Sequence, residues 1–240
     1  MQLTFLGTRG EIEARNTRHH RHTSTLVIYH RRSVMLDCGA DWAEDVYHIR
    51  PNAIVITHSH PDHAWGLKNG APCPVYATAD AWMDMSDYPI SVRHTIEPRS
   101  PLRIEGIQFE AFTVEHSTRS PAVGYRITAG RVSVFYAPDL VYIHEREPAL
   151  RGIRLYIGDG ATPARSFVRK REDRLIGHTP IRTQLTWCGK MGVPEVLITH
   201  CGSQIVKGDE EQIAAQLHEW GEERGVIASI AYDGMERTLR

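Results

Sequence analysis

Four potential metal ligands fall within six consecutive positions of this chain, and this cluster limits what the chain can fold into. They are His58, His60, Asp62 and His63. Imidazole and carboxylate groups are the usual protein ligands of zinc, manganese and iron. The preceding residues 53–56 are apolar and mostly β-branched, which predicts a buried strand that ends where the histidines begin. The sequence therefore predicts a metal site in a loop at the carboxyl end of a strand.

Three further candidate ligands lie later in the chain, each just after an apolar run that reads as a strand. They are His116, Asp139 and His200. Any one of the 14 histidines could follow a strand by chance. The same arrangement repeated in this order favours a second set of ligands for the same centre.

These seven residues resemble the signature of the metallo-β-lactamase superfamily, in which two histidines, an aspartate and a histidine precede three later ligands. The resemblance implies one metal ion held by His58, His60 and His116. It implies a second ion held by Asp62, His63 and His200. Asp139 would bridge the two ions. Two divalent ions are thus expected, with zinc first and manganese as the alternative, because the ligand set contains only nitrogen and oxygen.

The resemblance also implies an α+β fold, a four-layer αββα sandwich of two sheets with helices on both outer faces. With 240 residues and 41% hydrophobic content, residues 1–240 can form one such domain. Two helices are predicted late in the chain. The first has Thr179 as its N-cap and ends near Lys190, and the second begins at Asp209.

Asp37 follows a predicted strand at 33–36. It matches an aspartate that supports the metal-binding loop in the family, where it can fix the tautomer of a ligand histidine. Capping of a turn is the alternative role for this residue.

His178 extends the resemblance to the phosphodiesterase branch, which includes tRNase Z and the phosphoribosyl cyclic phosphate phosphodiesterases. It matches the histidine of that branch's histidine-serine-threonine motif, which protonates the leaving oxygen or stabilises the transition state. An alkoxide that leaves phosphorus is a strong base, so a positioned acid contributes roughly 10²–10⁴-fold to the rate. The alternative is a helix-terminal histidine with no chemical role.

The residue that orients this histidine departs from the family pattern. In tRNase Z a glutamate holds the catalytic histidine, whereas Gly160 stands at that position here. The neighbouring Asp159 is expected to take over, since a carboxylate can hold one tautomer and stabilise the imidazolium. Asp62 is also expected to be catalytic, in addition to its role as a ligand.

Basic residues near the predicted site favour an anionic substrate. Arg15, Arg18 and His19 follow a glycine-containing turn, and with Thr179 they are the candidate substrate contacts. A solvated basic loop is the alternative. The net charge of -1 does not match the strongly basic surface of a nucleic-acid-binding domain. A small phosphodiester, nucleotide or short nucleic acid is the expected partner.

Spacing separates the chain from tRNase Z itself, which carries a long tRNA-gripping arm between the ligands that match His116 and Asp139. Only 22 residues lie between them here, and two predicted strands use most of those residues. The layout therefore looks closer to the small cyclic-phosphodiester hydrolases.

The predicted function is a dinuclear metal-dependent phosphodiesterase in which a metal-bridging hydroxide attacks phosphorus and His178 assists the leaving group. One alternative is a hydrolase of a carbonyl substrate such as a lactone, thioester or β-lactam. Another is a non-enzymatic nucleic-acid-binding protein with a structural metal pair.

The four cysteines show no CxxC spacing, and the chain has no apolar signal region and no uninterrupted apolar stretch of about 18 residues. Reduced thiols, a cytoplasmic location and no membrane contact are expected. A homodimer would match many relatives.

Overall fold

The computed structural model describes residues 1–171 and 173–240, and the predicted apolar runs form strands in it. The strands are β1 (Gln2–Gly7), β2 (Ser24–Tyr29), β3 (Arg32–Leu36), β4 (Ala53–Val55), β5 (Val75–Ala77), β6 (Arg93–Thr95), β7 (Leu102–Ile104), β8 (Ile107–Glu115), β9 (Ala122–Ala129), β10 (Val132–Tyr136), β11 (Tyr142–Ile143), β12 (Leu155–Asp159), β13 (Arg169–Arg171), β14 (Arg174–Ile176), β15 (Glu195–Thr199), β16 (Ile227–Ile230) and β17 (Met235–Thr238).

The helices are short except for two in the last third of the chain. They are α1 (Val46–Ile49), α2 (Pro61–Ala64), α3 (Ala79–Asp84), α4 (Arg146–Leu150), α5 (Ile181–Lys190), α6 (Ser203–Val206) and α7 (Glu210–Glu222). Single 3-10 turns lie at Ala40–Trp42 and Trp65–Leu67. In the part of the chain that the structure describes, no helix has the length and apolar character needed to cross a membrane.

Two mixed sheets organise the chain. The first has the strand order β17-β1-β2-β3-β4-β5-β6, and the second has the order β11-β8-β9-β10-β12-β15-β16 with β7 added on β8. In the first sheet β3 to β6 run parallel, and in the second β10, β12, β15 and β16 run parallel. Because parallel strands end at the same edge of a sheet, residues that follow them are brought together.

Three buried clusters define the layers. One contains side chains of both sheets, such as Phe5 and Phe109, and so lies between them. Strand β10 shows the alternation that this requires, because Val134 belongs to the inner cluster and Phe135 to an outer one. The outer clusters pack α1 to α3 on the first sheet and α4, α5 and α7 on the second. The predicted four-layer αββα sandwich is confirmed.

Of the two N-caps predicted for these helices, one is confirmed and the other is wrong. Asp209 caps α7 as predicted, since its carboxylate accepts a hydrogen bond from Gln212 N at 3.0 Å. The prediction that Thr179 caps α5 is wrong: the helix begins at Ile181, and the preceding Pro180 is extended without a side-chain cap. Thr179 N instead donates to Leu140 O at 2.9 Å, which ties this segment to the second sheet's loops.

Candidate metal centre and active site

The dense histidine cluster lies where a strand passes into a short helix. Strand β4 ends at Val55, and α2 begins at Pro61, where proline's fixed φ suits the first helical position. His58 and His60 precede the helix in extended loop, whereas Asp62 and His63 lie within its turn. The change of backbone direction lets the two pairs face different points.

His58, His60 and His116 converge at the first of these points. His58 Nε2 lies 3.0 Å from His60 Nδ1, and His116 Nε2 lies 3.1 Å from the same atom. Nitrogens bound to one tetrahedral zinc ion at about 2.0–2.1 Å would be roughly 3.3 Å apart, which is close to this spacing. His116 reaches the cluster because it follows β8 directly.

Asp62, His63 and His200 converge at the second point. Asp62 Oδ2 lies 3.0 Å from His200 Nε2 and 3.3 Å from His63 Nε2. His200 follows β15, and its backbone takes the left-handed φ of 52°. A non-glycine residue in this conformation costs free energy that the surrounding contacts must offset, and such residues concentrate at functional sites.

Asp139 lies between the two groups of ligands. Its Oδ2 is 3.6 Å from His58 Nε2 and 3.4 Å from both His63 Nε2 and His200 Nε2. Three four-residue groups have suitable ligand geometry: His58, His60, His116 and Asp139; Asp62, His63, Asp139 and His200; and Asp139, Asp159, His178 and His200. The first two are the ligand sets predicted from the sequence. The structure brings all seven predicted ligands together, with Asp139 common to both sets.

The donor atoms of this cluster suit divalent cations. His63 Nε2 is buried and has no hydrogen-bond partner among the described residues, and Asp139 Oδ1 faces imidazole nitrogens, 2.9 Å from His178 Nδ1 and 3.3 Å from His116 Nδ1. Unpaired buried polar atoms are costly, and a bound cation would satisfy them. Burial lowers the pKa of His58 well below its usual range and the pKa of His60 to about 4. Both imidazoles are thus neutral at pH 7, the form that binds metal.

Asp37 supports the second ligand set from behind. It is fully buried, and His63 Nδ1 lies 2.9 Å from its Oδ2. Its Oδ1 accepts hydrogen bonds from Thr57 N at 2.8 Å and from Thr57 Oγ1 at 2.9 Å. These contacts fix His63 with its Nε2 directed towards Asp62 and Asp139. The geometry is that of a supporting carboxylate, on a residue whose backbone takes the left-handed φ of 59°.

We expect Asp37→Asn to weaken metal binding roughly 10- to 100-fold, because an amide cannot accept from Thr57 and His63 together on both of its heteroatoms. Competition with a chromophoric chelator would measure the affinity. Asp87→Asn, which alters an exposed carboxylate, is the control. Equal affinities of the two variants would contradict the supporting role.

His178 lies at the edge of the cluster, and Asp159 holds it there. Asp159 is fully buried at the end of β12, and its Oδ2 lies 2.8 Å from His178 Nδ1. Leu140 N and Ala161 N donate to the same carboxylate at 3.1 and 2.8 Å. Gln184 of α5 clamps the Asp159 backbone, accepting from its N at 3.0 Å and donating to its O at 2.7 Å. Three partners therefore fix the orientation of this carboxylate, and Gln184 fixes the backbone that carries it.

The electrostatics of His178 favour the protonated imidazole. Burial acts to lower its pKa, but the carboxylates of Asp159 and Asp139 outweigh this and raise the pKa to about 11. A cation bound at Asp139 would oppose that carboxylate and bring the pKa downwards, towards the range useful to an acid. At neutral pH His178 can therefore hold a proton to donate.

The loop after β1 is held against the ligands by a buried arginine. Arg9 is 2% exposed, and its Nη2 lies 2.6 Å from Asp41 Oδ2. Its guanidinium also donates to the backbone carbonyls of His20 and Gly10, at 3.0 and 3.3 Å. A Cβ at Gly10 would lie 2.9 Å from the ring of His200, so only glycine fits there. This arginine is structural rather than available to a phosphate.

A cavity of about 600 Å³ opens above the two ligand sets, and His178 forms part of its wall. The predicted substrate contacts lie outside its lining. Arg15 is 3.3 Å from Asp41, and Arg18 is 3.0 Å from Glu210. His19 is buried and lies 2.8 Å from Thr8 Oγ1. Thr179 is buried as well. Their role in substrate binding stays a prediction. In the structure, Arg15, Arg18 and His19 contact other side chains of the protein.

Sequence reasoning did not single out several residues that shape the site. They are Arg9, Glu11, Thr57, Tyr136 and Gln184. Tyr136 OH adds a 3.3 Å hydrogen bond to Asp37, and Gln184 is fully buried in an otherwise apolar helix face. The isolated buried amide in α5 is a signal that could have been noticed, because buried polar groups require partners. The other roles depend on contacts between distant segments.

Comparison with known proteins agrees with this geometry. A family model described as a β-lactamase superfamily domain matches residues 32–201. The Ribonuclease Z of Methanopyrus kandleri is 26% identical over 175 residues, which are 64% of this chain and 61% of that protein. The Ribonuclease Z of Methanococcus maripaludis is 29% identical over 153 residues, 52% of this chain and 48% of that protein. The match thus spans about half to three fifths of these curated relatives.

The fold recurs in solved structures. The crystal structure of the metallo-β-lactamase fold protein YhfI from Bacillus subtilis aligns with a TM-score of 0.77 at 18% identity, covering 98% of both chains. Sequence identity at this level shows that the two proteins share a fold and nothing beyond the fold.

Proposed function

The chain belongs to the β-lactamase superfamily, and we propose that within it this protein is a dinuclear metal-dependent phosphodiesterase. One observation carries the proposal, the contact of 2.8 Å between Asp159 Oδ2 and His178 Nδ1 at the edge of the ligand clusters. With Nδ1 engaged, Nε2 is the nitrogen left for a substrate in the cavity that His178 lines. An oriented acid beside a two-metal ligand set suits a reaction whose leaving group needs a proton.

Bound divalent ions would supply positive charge to a phosphoryl group and an ionised water as nucleophile. The protein's own part is to position and to transfer protons. His178 Nε2 donates its proton to the departing alkoxide oxygen, and Asp159 holds the tautomer and stabilises the imidazolium before transfer. Asp62, Asp139 and the five histidines of the two ligand sets would hold the ions. A β-lactam or thioester leaving group has less need of such an acid, which favours phosphorus over carbon.

The size of the cavity and the spacing of the ligands support a compact substrate. The 22 residues between His116 and Asp139 are largely used by β9 and β10, which form part of the second sheet. Relatives named Ribonuclease Z support a phosphodiester in a nucleic acid as the bond cleaved. We therefore propose a small or cyclic phosphodiester, or a short nucleic acid, as the substrate, with zinc as the metal and manganese as the alternative.

A substrate panel tests the proposal. Protein reconstituted with zinc, and separately with manganese, is assayed on cyclic nucleotides, cyclic ribosyl phosphate, short RNA, single-stranded DNA, a lactone and a thioester. We expect kcat/KM for at least one phosphodiester to exceed that for the carbonyl substrates by about a hundredfold or more, given the acid at His178. Turnover of only the lactone or thioester would contradict the phosphodiesterase assignment.

A further inference from the structure

The wall of the cavity above the two ligand sets carries a carboxylate where an anionic substrate would lead one to expect basic side chains. Among the lining residues that the structure describes there is no lysine or arginine. Apart from the metal ligands and His178, Glu11 is the one charged side chain in this lining. Ile12, Pro61, Ala161 and Phe167 supply apolar surface around it. A site built to hold several phosphates would instead present cations to each of them.

The cations of the adjacent loop are directed away from the cavity. Arg9 is buried and bonded to Asp41, Arg15 reaches the same carboxylate at 3.3 Å, and Arg18 pairs with Glu210 at 3.0 Å. Arg18 also lies over the ring of Tyr232, 4.2 Å from its centre. The ion-pair partners of these arginines are therefore Asp41 and Glu210 rather than Glu11, and among the three only the charge of Arg9 acts on Glu11, where it favours the ionised carboxylate.

Glu11 is held at the wall by its backbone. Gly10 N donates to Cys201 O at 3.1 Å, and Ile12 N donates to Gly10 O at 2.8 Å. Arg9 donates to the carbonyls of Gly10 and Ile12 on either side of it. The carboxylate itself is 61% exposed at the cavity mouth, where a substrate can contact it.

The nearest titratable partner does not neutralise Glu11. His22 Nε2 lies 3.7 Å from Glu11 Oε2, beyond hydrogen-bond distance. Burial, with the positive charge of Arg9, lowers the pKa of His22 to about 4, so His22 is neutral at pH 7. Glu11 thus presents acceptor oxygens without a hydrogen-bond partner among the described residues to the cavity, where burial and the charge of Asp62 raise the pKa of its carboxyl group.

We propose that Glu11 determines substrate specificity, by accepting a hydrogen bond from a hydroxyl or amino group of the substrate and repelling a second phosphate on its side of the cavity. This inference rests on the proposed phosphodiesterase function and narrows it. The substrate is then a diester that carries a single negative charge at the metal centre, flanked on the Glu11 side by an uncharged sugar or base. The apolar residues would pack against that group.

The physical basis is the difference in interaction energy with Glu11 between a substrate that places a second phosphate near it and one that places a hydroxyl there. Like charges a few ångströms apart repel strongly near a partly buried surface, whereas a hydroxyl donates to a carboxylate at little cost. Specific sites discriminate between ligands with repulsive groups as well as with attractive contacts. One carboxylate can therefore disfavour polyphosphorylated compounds in a cavity whose described lining contains no lysine or arginine.

Glu11→Gln tests the proposal, and Glu13→Gln is the matched control, because Glu13 is exposed on the same loop and outside the cavity lining. The zinc-reconstituted enzyme is assayed on the dinucleotide TpT and on TpT phosphorylated at its 5′ or its 3′ end. We expect one of the phosphorylated forms to react with a kcat/KM at least about tenfold lower than TpT in the wild type and in Glu13→Gln. In Glu11→Gln the difference should fall to about threefold or less.

A binding measurement separates this inference from the proposed function. Calorimetry with thymidine 3′-monophosphate and thymidine 3′,5′-bisphosphate should give a preference for the monophosphate that Glu11→Gln reduces and Glu13→Gln retains. Absence of cleavage of every phosphodiester would contradict the proposed function, and the binding ratio would still decide the role of Glu11. If both variants keep the wild-type ratios in cleavage and in binding, the inference is wrong.

Discussion

Replacing His178 by alanine is expected to lower kcat for a phosphodiester with an alkoxide leaving group by roughly 10²–10⁴-fold, with metal content unchanged. Asp159 holds His178 at 2.8 Å, and His178 lines the cavity. It belongs to neither of the two predicted ligand sets, one containing His58 and the other Asp62. Its loss would remove the proposed proton donor and leave those sets intact.

The leaving group provides the sharper readout. A nitrophenolate departs without a proton, so His178→Ala should lose much less activity on bis(p-nitrophenyl) phosphate than on a dinucleotide. His218→Ala, which alters an exposed histidine on α7, is the control and should match the wild type on both substrates. Equal losses on both substrates would contradict proton donation and leave His178 with a binding role.

Asp159→Asn tests the same effect in a milder form, because it removes the carboxylate that orients His178 and keeps the histidine. We expect a loss of about 10- to 100-fold with metal content retained, since the amide no longer fixes the tautomer or stabilises the imidazolium. The alkoxide substrate should again be affected more than the nitrophenyl ester. Unchanged rates would rule out the orienting role of Asp159.

Asp139→Asn is expected to have the other large effect, with metal content falling from two ions per chain to one or fewer and activity falling by more than about a hundredfold. Asp139 is common to both ligand sets and is 5% exposed. The neighbouring histidines keep its pKa well below the usual range despite burial, so the native residue is charged. An uncharged amide binds two cations far more weakly than a carboxylate does.

Elemental analysis after dialysis, with an activity assay on the same sample, measures this outcome. Asp87→Asn again serves as an exposed control. Two retained ions together with normal turnover would contradict the shared role of Asp139. The contrast with His178→Ala is informative, because one variant should lose metal and the other should keep it.

The arrangement of ligands was predictable because each follows an apolar run. Strand β4 is continuously apolar, β15 has an apolar centre, and β8 alternates apolar with polar residues; His58, His116 and His200 come within three residues of the ends of these strands. A strand buried on both faces reads clearly from sequence, and the chain's direction then fixes where its final residue points. The family resemblance supplied the assignment of each residue to a set.

Other parts of the fold were not predictable from local pattern. Strand β17 has the sequence Met-Glu-Arg-Thr and is mostly exposed, and it forms because it pairs with the edge of β1. Strands β13 and β14 form a hairpin apart from both sheets, and their exposed basic residues carry no period-two apolar signal. In each case tertiary pairing, rather than propensity, determines the strand.

The same limit applies to the charged residues of the site. Arg9 and Arg15 both belong to a basic segment, yet one is buried and the other exposed. Their roles depend on Asp41, about thirty positions later, whose location follows only from the fold. Glu11 was overlooked for a similar reason, since nothing in the sequence distinguishes it from the nearby Glu13, which lies outside the cavity lining.

The distribution of the ligands over the two sheets has a consequence for assembly of the protein. His58 to His63 come from the first sheet's half of the chain, and His116, Asp139 and His200 come from the second. Ions held by both groups would act as a non-covalent cross-link that closes a segment of over a hundred residues. Neither half alone supplies all the residues of either ligand set. The two halves must therefore pack together before a complete set can bind a metal ion.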